Sequence, residues 1–149
     1  MLSRTAEYLY WISRYMERAE TTARLLDVGY RMSLFPNPSG YNNEWESVLS
    51  AAGAIEGYKN KYDTIEQKNV EDYLFFDESN PSSVYNCILN ARNNALVVRT
   101  SFTPESWLAI NKTYQEILNL KEQQFTKSDL PDLTAVSYTH LRAHETSLH

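Results

Sequence analysis

The sequence predicts an all-α protein, an antiparallel bundle of about five helices. Three observations predict it. Apolar residues recur at three- and four-residue spacing through most of the chain, and no period-2 run bounded by turns demands a strand. The five prolines fall between the periodic stretches or at their starts. The breaks carry helix-start signals at Asn43, Asn80-Pro81 and Thr103-Pro104. Short connections between such helices favour antiparallel neighbours.

The first element is the longest. Residues 1–34, MLSRTAEYLYWISRYMERAETTARLLDVGYRMSL, contain no Pro and one Gly, Gly29. Leu2, Ala6, Leu9, Ile12, Met16, Ala19, Ala23 and Leu26 mark one helical face, and Ser3 suits its start, so a helix is predicted over 3–32. At about 100° per residue, Tyr10, Arg14, Glu17, Thr21 and Arg24 form a second stripe, with Trp11, Leu25 and Val28 on or beside it. A helix with aromatic and aliphatic residues on nearly every side is expected to be buried on most sides. Its charges then turn inward and need partners. Arg14 with Glu17, Glu17 with Arg24, and Glu20 with Arg24 stand three, seven and four residues apart and are the expected pairs.

SLFPNPSGYNN, residues 33–43, reads as a loop, and Asn43 with Glu46 resembles a capping box. A second helix is predicted over about 44–56 on Trp45, Val48, Leu49, Ala52 and Ile55, with Gly57 as its stop. Residues 57–67 are polar and weakly patterned. A short helix over about 68–76 presents Val70, Tyr73 and Leu74. After DESNPSS, a fourth helix is predicted over about 81–101, capped by Asn80, with Val84, Ile88, Ala91, Ala95 and Val98 as its stripe. Thr103-Pro104-Glu105 then opens a fifth over about 104–123, and loop-like sequence follows from Thr126.

Composition narrows the function classes. A length of 149 residues suffices for one domain with a real core. The net charge of −5 argues against a nucleic-acid surface. No apolar run approaches the roughly 20 residues of a membrane span, and the N-terminus lacks a signal-peptide pattern. The single Cys87 has no partner for an internal disulfide, which suits a reducing cytoplasm. All three histidines, His140, His144 and His149, lie in VSYTHLRAHETSLH, residues 136–149. That composition break, and a likeness to translated sequencing-adapter read-through, mark the segment as a non-native tail, which leaves 1–135 as the domain.

Little of the chain suits catalysis or metal binding. Without the tail there is no His, so neither a zinc set nor the Glu-x-x-His pairs of a di-iron bundle can be drawn, and no cofactor is expected. A lone helical Cys such as Cys87 reads as a small core residue. Trp11, Trp45 and Trp107 read as core or seam residues. What remains is a charged cluster in which Arg14, Glu17, Arg18 and Arg24 of the first helix meet Arg92, Asn94 and Arg99 of the fourth. Such a cluster is either a structural network within the bundle or a pocket whose guanidinium forks hold a carboxylate or phosphate. In the pocket reading Glu17 orients Arg14 or Arg24, while Arg18 and Arg92 face the ligand.

MLSRTAEYLYWISRYMERAETTARLLDV, residues 1–28, resembles the opening of the bacterial alpha-E domain family, an all-helical family named for a Glu-Arg pair that Glu17-Arg18 matches. A second matching block, residues 80–114, carries Arg92, Asn94, Arg99, Glu105, Trp107 and Asn111 at family-like positions, with Leu96 departing where a basic residue is expected. The resemblance implies a domain about twice this length, so the chain reads as an N-terminal half whose exposed apolar face is covered by a missing half or a second copy. It also implies a setting beside ATP-grasp-type ligases and transglutaminase-like proteins, in peptide or amide-bond formation or modification. The expected role is a non-catalytic accessory or interaction domain. The alternative is an enzyme half-site or anion pocket with Glu17 as acid or base beside Arg14, Arg18 and Arg92.

Overall fold

The opening stretch forms a single helix, α1, Ser3–Ser33. Its buried positions include Ile12, Met16, Ala19, Ala23, Leu26 and Gly29, the three- and four-residue spacing that one helical face requires. A computed structural model describes residues 3–35 and 43–123. Within them α1 is followed by α2 (Asn43–Ala51), α3 (Ile55–Lys61), α4 (Gln67–Phe75), α5 (Val84–Val97), a single 3-10 turn at Arg99–Ser101, and α6 (Pro104–Gln123). The described residues contain no strand, and the fold is all-α with six helices. None of these helices is long and apolar enough to cross a membrane.

Helix α5 is the neighbour that α1 touches most extensively, and α6 flanks α5 on another side. The pairs are antiparallel. Ser82, just before α5, lies beside Thr21, Thr22 and Leu25 of α1, whereas Asn94 near its end lies beside Tyr8 and Trp11. Arg92 of α5 bonds Asn111 of α6, while Tyr85 lies under Lys121. Helix α2 packs on the far end of α1, where a Cβ built on Gly29 would lie 2.8 Å from both Trp45 Cζ3 and Val48 Cγ2. The core is filled by Ile12, Leu26, Trp45, Leu49, Tyr58, Phe75 and Ile88, all essentially without solvent contact.

Several expected boundaries are revised. The second helix stops at Ala51 rather than near residue 56. Gly53 takes a φ of +68°, Ala54 N–H donates to the Leu49 carbonyl at 2.9 Å and Gly53 N–H to that of Ser50 at 3.0 Å. That is a Schellman stop, in which a left-handed glycine closes the last turn. Ile55 had continued the apolar spacing of α2, but it begins α3 instead, and Gly57 lies inside α3 rather than ending anything. The polar composition of this segment hid a one-sided anchor: Tyr58 is fully buried, its hydroxyl donating to the Thr64 carbonyl at 2.7 Å, its ring stacked on Tyr62 at 4.8 Å.

The fourth expected helix is shorter than 81–101 at both ends. Its cap is Ser83, whose Oγ accepts from Asn86 N–H at 3.2 Å, and not Asn80. Asn80 is buried in the preceding turn, where Oδ1 accepts from Ser82 N–H at 3.1 Å and Nδ2 donates to the Tyr73 carbonyl at 2.9 Å. The α6 start agrees with expectation, with Thr103 Oγ1 accepting from Ser106 N–H at 3.2 Å. The side chain of Asn43, residues 36–42 and residues 124–149, the segment read as a tail included, lie outside the described residues.

The expectation that α1 turns its charges inward holds for Glu20, which is buried, and fails for Arg14, Glu17 and Arg18. Its burial is one-sided: the Arg14 and Glu17 side chains are 50% and 61% exposed, and Trp11, read as core or seam, is 41% exposed. Small residues explain this. Ala19, Ala23 and Gly29 let neighbours close on one face only, so the wide polar face stays outside.

Gly29→Ala gains about 1 kcal/mol of helix propensity but drives a methyl into the buried Trp45 ring and Val48. Overpacking of roughly 1–3 kcal/mol wins, so the variant unfolds at lower denaturant with its helicity intact; an unchanged or raised midpoint contradicts the close approach. Glu71 is buried in α4, with Gln67 Nε2 donating to its Oε1 at 2.8 Å, and burial raises its pKa from 4.5 to about 7. The folded state therefore holds this proton more tightly than the unfolded chain, and stability falls as pH rises from about 4.5 to 7. Glu71→Gln removes that dependence and is the more stable form at pH 8, by on the order of 1–2 kcal/mol. Melting curves of the two proteins that run parallel across pH 5 to 8 would show that Glu71 pays no burial penalty.

Candidate functional site

Arg14, Glu17, Arg18 and Thr21 follow one another on the outward side of α1, because residues three and four apart share a helical face. Together with Thr22 and Leu25 they form one wall of an open groove of about 490 Å³. Ala51 and Ala52, where α2 stops, and Ser82, where α5 starts, form its other edges. The Schellman stop at Gly53 thus has a consequence for the site. By ending α2 at Ala51 it leaves the middle of α1 uncovered.

The charges within the groove are unevenly committed. Arg14 Nη1 lies 3.2 Å from Glu17 Oε2. The Glu17 carbonyl accepts from Thr21 Oγ1 at 2.9 Å. Arg18 is exposed and forms neither a hydrogen bond nor an ion pair with any described residue. Its field is nonetheless felt across the seam. Burial pushes the Cys87 thiol up to about 11, and the nearby Arg18 guanidinium works weakly against that rise. The lining carries two guanidinium groups and one carboxylate, a local positive balance in a chain of net charge −5.

The other residues expected in one cluster do not converge. Arg24 turns to Glu20, with Nη2 2.9 Å from Oε1, the four-residue pair that helix geometry favours over the seven-residue pair with Glu17. Arg92 faces α6, where its Nε donates to Asn111 Oδ1 at 2.9 Å and its guanidinium lies 4.9 Å from the Tyr114 ring centroid. Asn94 lines a separate depression of about 330 Å³ with Arg4, Glu7, Tyr8, Trp11 and Tyr15. Arg99 is exposed on the 3-10 turn. Arg14, Glu17 and Arg18 therefore stay together, and Arg24, Arg92, Asn94 and Arg99 each go elsewhere. Sequence reasoning missed Thr22, Ser82 and the two alanines at the end of α2; the consecutive serines after Pro81 were the one available signal.

A third concavity, between α3, α4 and the end of α6, is lined by Lys61, Lys68, Lys121, Asp72, Asp77 and Glu78 among others. Its charges balance, and two ion pairs join four of them: Lys61 bonds Asp77, and Lys121 Nζ lies 2.9 Å from Glu78 Oε1. Burial works to raise Asp77, but the bonds from Lys61 and Ser79 outweigh it and hold the carboxyl below its usual range. No group of three or more His, Cys, Asp or Glu among the described residues is arranged to hold a metal ion.

A family model described as "a predicted alpha-helical domain with a conserved ER motif" matches residues 1–144. No curated protein and no solved structure matches the chain. The chain contains one Glu-Arg dipeptide, Glu17-Arg18, and it lies on the wall of the groove.

The buried, protonated state of Cys87 gives a direct check on this geometry. Native protein at pH 8 should react with iodoacetamide far more slowly than the same chain in denaturant, because only thiolate in contact with reagent reacts. Equal rates would mean that the α1–α5 seam beside Arg18 is open.

Proposed function

The chain belongs to the Alpha-E family, and from that premise we propose that it is a helical accessory domain that docks an anionic group of a partner at Arg14 and Arg18. One observation carries this reading: of the groove's charged groups, Arg18 alone is uncommitted, while Glu17 engages Arg14. Guanidinium forks match carboxylate and phosphate geometry, and a guanidinium is more weakly hydrated than an ammonium, so it gives up its water at lower cost on binding them. Glu17 then serves to hold Arg14 in place. Thr22 and Ser82 add hydroxyls at the same groove.

The partner we propose comes from the family setting that the resemblance implies. It is an ATP-grasp-type or transglutaminase-like protein acting in peptide or amide-bond formation or modification. A domain that presents a positive groove fits a role in seating an acidic segment of such a partner, or of its substrate, beside the catalytic protein.

The test is copurification. A full-length relative, tagged and expressed with an ATP-grasp protein from its own genome, is expected to retain it, and Arg18→Glu is expected to lose it while melting within a few degrees of the parent. Undiminished copurification by a folded Arg18→Glu protein would remove the role assigned to the groove.

A further inference from the structure

The Arg14–Arg18 groove and the aromatic depression around Trp11 lie end to end on α1. Arg4, Trp11, Arg18 and Leu25 are each seven residues apart, and a seven-residue step on an α-helix turns through only about 20°. They therefore form one stripe about 30 Å long, at 1.5 Å per residue, that winds by about 60° around the helix from Arg4 to Leu25 and by only about 20° between Trp11 and Arg18. Arg4 and Trp11 line the first depression, Arg18 and Leu25 the second. Helix α5 runs along one side of both, contributing Asn94 beside Trp11 and preceded by Ser82 at the Arg18 end. Beyond Leu25, α2 closes over α1 at Gly29 with Trp45.

The two halves of this trough differ in chemistry. At the Arg18 end the lining is cationic and hydroxylic. At the Trp11 end it is mainly aromatic: Tyr8, Trp11 and Tyr15 line it beside Arg4 and Glu7, with the Trp11 and Tyr15 ring centroids 5.9 Å apart. The Asn94 amide there makes no hydrogen bond to a described residue. A core helix is a poor occupant, because its apolar face would bury Arg14, Glu17, Arg18 and Thr21 against nothing that satisfies them. An extended polar chain meets both halves.

Resting on the anion-docking reading above, we infer that the trough binds an extended peptide in polyproline II conformation, with an acidic side chain at Arg18 and a proline three residues away against Trp11. The spacing decides the conformation. Trp11 and Arg18 are about 10 Å apart along the helix. A polyproline II chain rises about 3.1 Å per residue with three residues per turn, so residues i and i+3 point the same way about 9 Å apart. A β-strand returns a side chain to the same face at even spacings, about 7 or 13 Å, and matches less well. Aromatic-lined grooves take proline-rich chains because little conformational freedom is lost on docking. The Asn94 amide is available to the peptide's backbone carbonyls, which such a chain leaves unpaired.

Labelled synthetic peptides test this. Ac-Ala-Pro-Pro-Pro-Glu-Ala-amide is compared with Ac-Ala-Ala-Ala-Ala-Glu-Ala-amide by fluorescence polarisation. The proline frame is expected to bind roughly tenfold more tightly. Trp11→Ala is expected to erase that preference, bringing the affinities of the two peptides together; Trp11→Phe should keep most of it. Arg18→Glu is expected to abolish binding of both. Equal affinity for the two frames, a preference that survives Trp11→Ala, or no binding of either at millimolar peptide overturns the inference. Loss of both peptides with Arg18→Glu alongside equal affinity for the two frames overturns it while leaving the anion-docking reading in place; a proline preference unaffected by Arg18→Glu overturns that reading as well. Circular dichroism of each variant establishes that it is folded.

Discussion

Close packing of α1 on α5 is the constraint on which the rest of the molecule depends. Interaxial distance follows from side-chain size at the contact. Ala19 and Ala23 on α1, and Ala91 and Ala95 on α5, are wholly excluded from solvent. Small side chains there bring the two backbones close, and the larger Ile12, Met16, Leu26 and Ile88 fill the space above and below. Helix α2 is held in the same way, with Gly29 giving room for Trp45. A helix held this tightly on one side has a fixed rotation about its axis. That rotation, rather than any local interaction, puts Glu17 and Arg18 outside.

An outward motif is easier to reconcile with binding than an inward one. Charged groups buried in a bundle are desolvated whether or not a ligand arrives, and must be paired to be tolerated. On the wall of an open groove the same groups keep their water until a partner replaces it. The Arg14–Glu17 pair is worth little to stability at half exposure. Its effect is positional, since it fixes one guanidinium and leaves its neighbour Arg18 uncommitted. The contrast with Arg92 is instructive. That side chain is held by Asn111 and lies over the Tyr114 ring, so it ties α5 to α6 and faces away from the groove.

The boundaries that the sequence reading misplaced share a physical cause. Gly53 and Ile55 look like one continuous helix when only apolar spacing is followed, and the left-handed φ at Gly53 is a backbone property that spacing does not report. Asn80 and Ser83 are both good caps; the choice fell to Ser83 because the Asn80 side chain is used inside the turn, bonding the Tyr73 carbonyl and Ser82 N–H. Helix α3 was invisible because its burial rests on one residue, Tyr58, and a single apolar position makes no period.

By itself the sequence determined that the protein is all-helical, where α1, α4 and α6 lie to within a residue or two, that Ile12, Met16, Ala19, Ala23 and Leu26 of α1 share one apolar face, and that Arg14 has Glu17 and Arg24 has Glu20 within pairing distance. All of these are set by neighbours within four residues, where helix geometry is fixed. Only the tertiary structure decided which charges share a groove. Arg18, Arg92 and Asn94 are equally plausible companions on paper, yet each faces a different neighbour: the gap beyond the end of α2, helix α6, and the aromatic end of α1. The reason is rotational. A side chain's company depends on which helix crosses its turn and at what angle, and that is fixed by the small residues in a seam on the opposite face, not by the charged residue's own surroundings in the chain.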